Sequence, residues 1–524
     1  MGSPSSEIFI CSGVRLNKSQ NHTIWFDTPG EQVKYFTDKV VKVFNGYTFL
    51  RKTWSIKVAE PYENACTWNY LFFRNGSEQK LYFYFIDRVE YLNDNTVELF
   101  LILDVMQTYR FDYGMLDCFV EREHSATDNI GDNLLDEGLE LGDFVVEDKI
   151  NIDLGDLCVL LASNIHPSAT VDSGNEVRIL GSNLGGVYSG LAVFGTLCDA
   201  QGLTALSDIL NHKNFVGYSD SIVSMWMFPT DFIKLQDGTW SDGKACKIVN
   251  GTKTLTKRVR RNDDLKGYTP KNNKLFTYPY NFLYISNNNG LSASYHYEYF
   301  SDPTIIEFNL FGCPLPEGQL KLIPLNYKNE SQNNEEGLMG PTFPTCAWNQ
   351  DVYKMWLAQN QNQHYMTNVQ GVVSAGTGLV NLFTSFGQNG LNEVSSGVNS
   401  ILNQIAQKKD AEMQAPHSKG SQSSNVNIMT GNQTYTVIRK CIDNTHARII
   451  DDYFTMYGYK CNKVKKPNHC VRENFTYVKT TNCQIHGVLP NEDLVAIQNI
   501  YDKGITFWVD GDKIGDYSVS NNCK

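Results

Sequence analysis

The sequence predicts a mainly β protein with α+β insertions and one helical apolar segment, and three observations carry that reading. Strand-like runs dense in Tyr and Phe fill both ends of the chain, Asn, Asp and Gly turns separate them, and charge vanishes from one long stretch of the carboxy-terminal half. At 524 residues the chain exceeds a single core, so three or four domains are expected. Charged residues make up 19% and aromatic residues 12%, a balance with enough apolar surface to exclude disorder as the main description. The net charge of -12 argues against a protein that grips nucleic acid along its length, because phosphate binding needs a cationic footprint.

At the amino terminus no basic region precedes a sustained apolar run, so no secretory signal is read and synthesis in a cytoplasm is expected. The sequons Asn75-Gly76-Ser77 and Asn250-Gly251-Thr252 then meet no glycosylation machinery. The 13 cysteines are odd in number and scattered, and even the group Cys461, Cys470 and Cys483 is spaced too widely for a zinc ribbon. Free, mostly buried thiols are expected.

Residues 81–86 carry large side chains at every position, and residues 96–105 form a second apolar run after Asn93, Asp94 and Asn95. Two such runs joined by Asn/Asp turn chemistry predict an antiparallel hairpin. Aromatics on both faces predict a sheet covered on both sides, by a second sheet or a neighbouring subunit. Acidic residues then crowd from Glu121 through Glu123, Asp128, Asp132, Asp136, Glu137, Glu140, Asp143, Glu147, Asp148 and Asp153 to Asp156. A catalytic carboxylate field or metal site is one reading, and a solvated acidic loop is the preferred one.

Residues 151–240 alternate short β-like and helical runs with Gly turns, which fits a small α+β unit. The basic cluster Lys253, Lys257, Arg258, Arg260 and Arg261 lies beside Asp263 and Asp264 and reads as a solvated face rather than a phosphate site. Residues 276–345 return to Tyr/Phe-rich strands broken by prolines, with an Asn-rich loop at 326–336.

Residues 355–392 contain no Asp, Glu, Lys or Arg. Within them Val369, Val372, Val373, Leu379, Val380, Leu382, Phe383 and Phe386 recur mostly at helical spacing, and beyond Gly387-Gln388-Asn389-Gly390 a second stripe runs Leu391, Val394, Val398, Ile401, Leu402 and Ile405. Two amphipathic helices joined by a Gly/Asn turn are predicted. No 18-residue apolar run exists, which excludes an ordinary transmembrane helix. On an insertion scale residues 369–386 of one copy supply only roughly -2 to -5 kcal/mol, so one copy inserts marginally. Two readings stand: several copies side by side forming a pore, or an internal helical hairpin of a soluble core. Residues 408–432 read as a Ser/Gln/Asn-rich linker, strands resume at 434–440, and residues 505–509 turning at Asp510-Gly511 predict a closing hairpin.

No phosphate loop, GxGxxG, nucleophile elbow or HExxH helix is present. Val509-Asp510-Gly511-Asp512-Lys513-Ile514-Gly515 imitates part of a calcium loop, but Ile514 and Asn521 spoil the ligand pattern. His124, among Glu121, Arg122 and Glu123, is read as a structural hydrogen-bond partner rather than a base or ligand. No cofactor, metal site or catalytic constellation is assigned.

Two longer stretches are more specific. Leu101-Ile102-Leu103-Asp104-Val105-Met106-Gln107-Thr108-Tyr109, then Phe119-Val120-Glu121-Arg122-Glu123-His124 and Asp136-Glu137-Gly138-Leu139-Glu140-Leu141-Gly142, resemble the amino-terminal region of the tail knob proteins of small short-tailed phages of the Picovirinae, Salasmaviridae type. Ile450-Asp451-Asp452-Tyr453-Phe454-Thr455-Met456-Tyr457-Gly458-Tyr459 and Gly504-Ile505-Thr506-Phe507-Trp508 are similar to the same family's closing region, and Asn69-Tyr70-Leu71-Phe72-Phe73 adds to the match.

The resemblance implies tail-tube-like β-barrel domains in a ring, a non-enzymatic virion protein of the distal tail, and a homo-hexamer through which viral DNA passes without specific binding. It implies an apolar plug at residues 365–407 that closes the channel and then perforates the host membrane. Implied partners are a lower-collar or connector tail protein, a tail-tip wall-degrading protein and host membrane lipid, with assembly in the host bacterial cytoplasm. Residues 1–120 would be a tube-wall β domain, 121–350 a middle knob and second tube region, 351–432 the plug and linker, and 433–524 a carboxy-terminal β region. The alternatives are a cell-wall hydrolase using carboxylates of the acidic field, and a receptor-binding adhesin whose Tyr/Asn-rich surface suits glycans.

Overall fold

The computed structural model describes residues 6–46, 54–75, 80–163, 169–171, 192–197, 199–211, 222–240, 243–314, 318–343, 348–350, 417–419 and 435–524. The chain is mainly β and divides into two units, one of Met1–Asp143, Gly267–Thr277 and Ile442–Lys524, the other of Phe144–Lys266 and Tyr278–Cys441.

In the first unit the expected hairpin is present. Strands Leu81–Asn93 and Thr96–Leu103 pair antiparallel, with Asn93 opposite Thr96, so that Asp94 and Asn95 alone make the turn. The six-stranded sheet runs Val40–Asn45, Ser6–Cys11, Tyr70–Asn75, Leu81–Asn93, Thr96–Leu103, Ser55–Val58. Both its faces are covered, as the two-sided aromatic pattern requires. Leu71, Phe73, Tyr84, Leu99 and Leu101 pack with Tyr501, Ile505 and Phe507. Tyr70, Phe72, Phe83 and Phe85 pack on the other side against Phe36 of the helix Pro29–Asp38. That helix starts where Thr28 accepts from Glu31 N and Glu31 reaches back to Asp27 N, with Pro29 at a position that needs no donor. Each such buried aromatic contributes roughly 2–3 kcal/mol, which makes this double-sided sheet the anchor of the unit.

A second sheet runs His22–Ile24, Ile505–Trp508, Phe475–Thr481, Cys118–Glu123, Tyr459–Lys465. Ile505–Trp508 pairs antiparallel with Phe475–Thr481 and parallel with His22–Ile24. The closing hairpin expected at Asp510-Gly511 is therefore corrected. The strand finds both partners far away, and after it Asp510 accepts from Asp512 N to start the short helical turn Gly511–Lys513. Asp512 pairs with Lys39, so the imitation calcium loop is an ordinary surface turn.

The second unit joins three sheets around one core that includes Trp226, Phe228, Phe232, Tyr295, Phe308 and Tyr435. The α+β region expected at 151–240 is a six-stranded antiparallel sheet that includes Leu157–Ser163, Ile222–Pro229 and Ile233–Trp240, with the helix Ala200–Asn211. The expected Asn-rich loop is a tight turn: Lys328 and Asn329 take positive φ, and Glu330–Gln332 folds back on Gln319–Tyr327. Among the described residues no helix is long and apolar enough to cross a membrane.

Candidate functional site: a buried charge clasp and the base of the uncharged segment

In the first unit, Glu137 is fully buried and receives both Arg122 and Lys274, themselves nearly buried. Glu123 holds Lys465 and accepts from Asn468 N at 3.0 Å and Asn468 Nδ2 at 2.9 Å. Glu121 pairs with Lys479 at 2.5 Å, which lowers its pKa. Tyr459 Oη donates to Asp128 Oδ1 at 2.5 Å; burial pushes both pKa values up. In the second unit Arg439 meets Asp148, and Asn262 donates to Glu147. The expectation of a solvated loop is corrected for Glu123 and Glu137, whose side chains are buried against Lys465, Arg122 and Lys274, because a charge leaves water only when paired and hydrogen-bonded. Glu121 and Asp148 pair with Lys479 and Arg439 but stay 35% and 41% exposed, and Asp128 and Glu147 accept from Tyr459 and Asn262 instead. Asp132, Asp136, Glu140 and Asp143 remain exposed.

His124 is a structural residue. Its ring is buried, Nδ1 accepts from Tyr477 N at 2.7 Å, and Nε2 lies 3.0 Å from Thr455 O. Burial first, then the Arg472 charge, pushes its pKa down to about 3, which keeps the ring neutral. Glu121 and Glu123 are each committed to a lysine, so neither is poised as a general acid. Among the described residues no group of three His, Cys, Asp or Glu side chains is arranged to hold a metal ion. In the basic cluster Arg258 pairs with Glu307, Arg260 lies exposed beside Asp263, and Arg261 is buried and donates to Asn262 O. These contacts leave a largely salt-bridged surface rather than a phosphate cradle.

Val369, Val372, Val373, Leu379, Val380, Leu382, Phe383, Phe386, Leu391, Val394, Val398, Ile401, Leu402 and Ile405 all lie outside the described residues. The chain on either side is paired: Trp348–Gln350 runs antiparallel to His417–Lys419, with Trp348 opposite Lys419, Asn349 opposite Ser418 and Gln350 opposite His417. Residues 351–416 therefore leave and re-enter the second unit at one place. Sequence reading missed this ribbon, whose three-residue strands carry too short a pattern to register.

Comparison with known proteins agrees with this architecture. Residues 246–522 match the family described as Bacillus phage phi29 tail knob protein gp9, C-terminal domain, and residues 4–114 match the caudoviral major tail protein N-terminus. The tail knob protein gp9 of Bacillus phage B103 is 26% identical, and that of Bacillus phage phi29 23%, each over 99% of both chains. The solved structure of the bacteriophage C1 tail knob protein, gp12, superimposes with a TM-score of 0.65 at 15% identity, covering 99% of this chain and 100% of that one.

The family match and the relatives mark the chain as a structural protein of a phage virion tail. Within that class, the chain belongs to the phi29 gp9 tail knob family.

Proposed function

We propose that the protein is a homo-hexameric distal tail tube whose β units build the wall, and whose residues 365–407 close the channel before infection and open the host membrane afterwards. The observation that carries this reading is the charge-free segment rooted on a paired ribbon, in a chain of tail-knob family. A plug must leave a crowded lumen and enter lipid, and within residues 365–407 Glu393 is the one Asp, Glu, Lys or Arg side chain set against that transfer. Each Å² of apolar surface moved from water into lipid contributes about 25 cal/mol. One copy is marginal, and six copies with their Ser, Asn, Gln and Gly faces turned inward around water multiply the gain. The ribbon holds Gln350 opposite His417, so both ends of the segment are anchored at one place.

The net charge of -12 per chain suits a wall past which DNA slides. The same reading gives the tube a connector protein at its upper end and a wall-degrading protein at its tip. The protein is assembled in the host bacterial cytoplasm and acts at the host membrane, with no catalytic role. Native mass spectrometry of the assembled particle tests the tube: six chains are expected, and a stable monomer at micromolar concentration overturns it.

A further inference from the structure

We propose that Cys118 and Cys483 form a latent disulfide site, reduced in the cytoplasm where the chain is made and closed by a small external disulfide oxidant once the particle is outside. Two ladders bracket the pair. On one side Met115 pairs with Ile485 and Leu116 N donates to Gln484 O at 2.9 Å; on the other Phe119 pairs with Thr481. Both keep one antiparallel register, so the backbone at 117 and 118 faces that at 482 and 483, within the span of a disulfide. Asn482 takes φ +56, which breaks strand alternation, and the Cys118 and Cys483 side chains are both buried, 3% and 2% exposed. The two thiols interact with each other.

Their backbones are also held. Cys483 N donates to Asp502 Oδ1 at 3.0 Å and Cys483 O accepts from Gln498 Nε2 at 2.9 Å, while Cys118 pairs with Lys465 across the sheet. These bonds fix the backbone on either side of the facing thiols.

In the reaction one protein thiolate attacks the external disulfide, forming a mixed disulfide and releasing one small thiol. The second protein thiolate then attacks the protein sulfur of that mixed disulfide and releases the second small thiol. Two protein thiols are oxidised and one external disulfide is reduced to two thiols. Burial pushes the Cys483 thiol up to about 12 and raises Cys118 as well. Attack therefore waits for local opening, which makes the bond slow to form and slow to break. It would tie two parts of the first unit across everything between them in sequence, residues 351–416 included.

The test treats the assembled full-length protein and the intact particle with oxidised glutathione at pH 8. Thiols are then blocked with N-ethylmaleimide in denaturant and the peptides mapped by mass spectrometry. A Cys118–Cys483 linked peptide in the majority of chains is expected, with a rise of several degrees in the thermal midpoint that Cys118→Ala and Cys483→Ala each abolish. Recovery of both cysteines as separate maleimide adducts, under conditions where exposed Cys66 has been consumed, overturns the proposal. Should either variant fail to fold, the wild-type peptide map alone decides.

Discussion

The side-chain amide of Asn272 donates to Asp451 Oδ1 at 2.8 Å, and that one carboxylate joins two stretches of the first unit far apart in sequence. Asp451 is fully buried and also accepts from Asn272 N at 3.1 Å, Lys271 N at 2.7 Å and Tyr268 Oη at 2.7 Å. Asp451→Ala leaves those donors without an acceptor and should cost about 3–5 kcal/mol, read as a fall in the urea midpoint. Asp451→Asn, which keeps one acceptor, should cost less.

Gly458 ends the helix Asn444–Tyr457 at φ +64 and ψ -150, a conformation open essentially to glycine alone. A Cβ there would stand 2.2 Å from Glu123 O. Gly458→Ala should therefore lower the stability of the first unit by more than about 2 kcal/mol, measured by thermal unfolding. A neutral result would mean that the chain does not make this close crossing.

How much of this was legible in the sequence depends on how local the partners are. The hairpin ending at Asn93 and Thr96 was legible because its pattern and its turn lie within a few residues, and the two-sided aromatic cover because period-2 reading needs no partner. Glu123 and Glu137 were misread as solvated. Their partners stand 345 and 137 residues away, at Asn468 and Lys274, and no local pattern announces them. The strand Ile505–Trp508 was misread in the same way, since Trp508 bonds to His22, 486 residues distant. The candidate site was legible only as composition, and its root, the ribbon from Gln350 to His417, was not.

Glu298 sits buried in the second unit, where both oxygens accept from Tyr278 N at 3.2 Å, and burial raises its pKa from 4.5 to about 7. The native state thus holds this proton more tightly than the unfolded chain. Its contribution to stability is complete below about pH 4.5 and is lost as pH rises through about 7, up to about 3 kcal/mol in all. Glu298→Gln should flatten that part of the pH profile. The check is the difference between wild type and variant in urea unfolding from pH 4.5 to 8, and an equal slope in both contradicts it.

The hydrolase alternative is answered by the lysines on its carboxylates. Peptidoglycan zymography of the wild type should show no lysis band. Glu123→Gln, which leaves Lys465 without its counter-charge, should lower stability by about 1–3 kcal/mol and leave the zymogram unchanged. A wild-type band that disappears in Glu121→Gln or Glu123→Gln would instead make the acidic field an active site.

The ribbon also supplies the cleanest variant of the membrane segment. Replacing residues 351–416 by Asn-Gly joins Gln350 to His417 through a two-residue turn suited to antiparallel strands. The shortened chain should keep the thermal midpoint and the subunit number of the full-length protein, with the particle mass lower only by the residues removed. The decisive measurement is dye release from liposomes by the two assembled proteins side by side, after mild destabilisation to free the segment. The full-length protein should empty the vesicles and the shortened one leave them intact, whereas equal release by both would contradict a membrane-opening role for the uncharged segment.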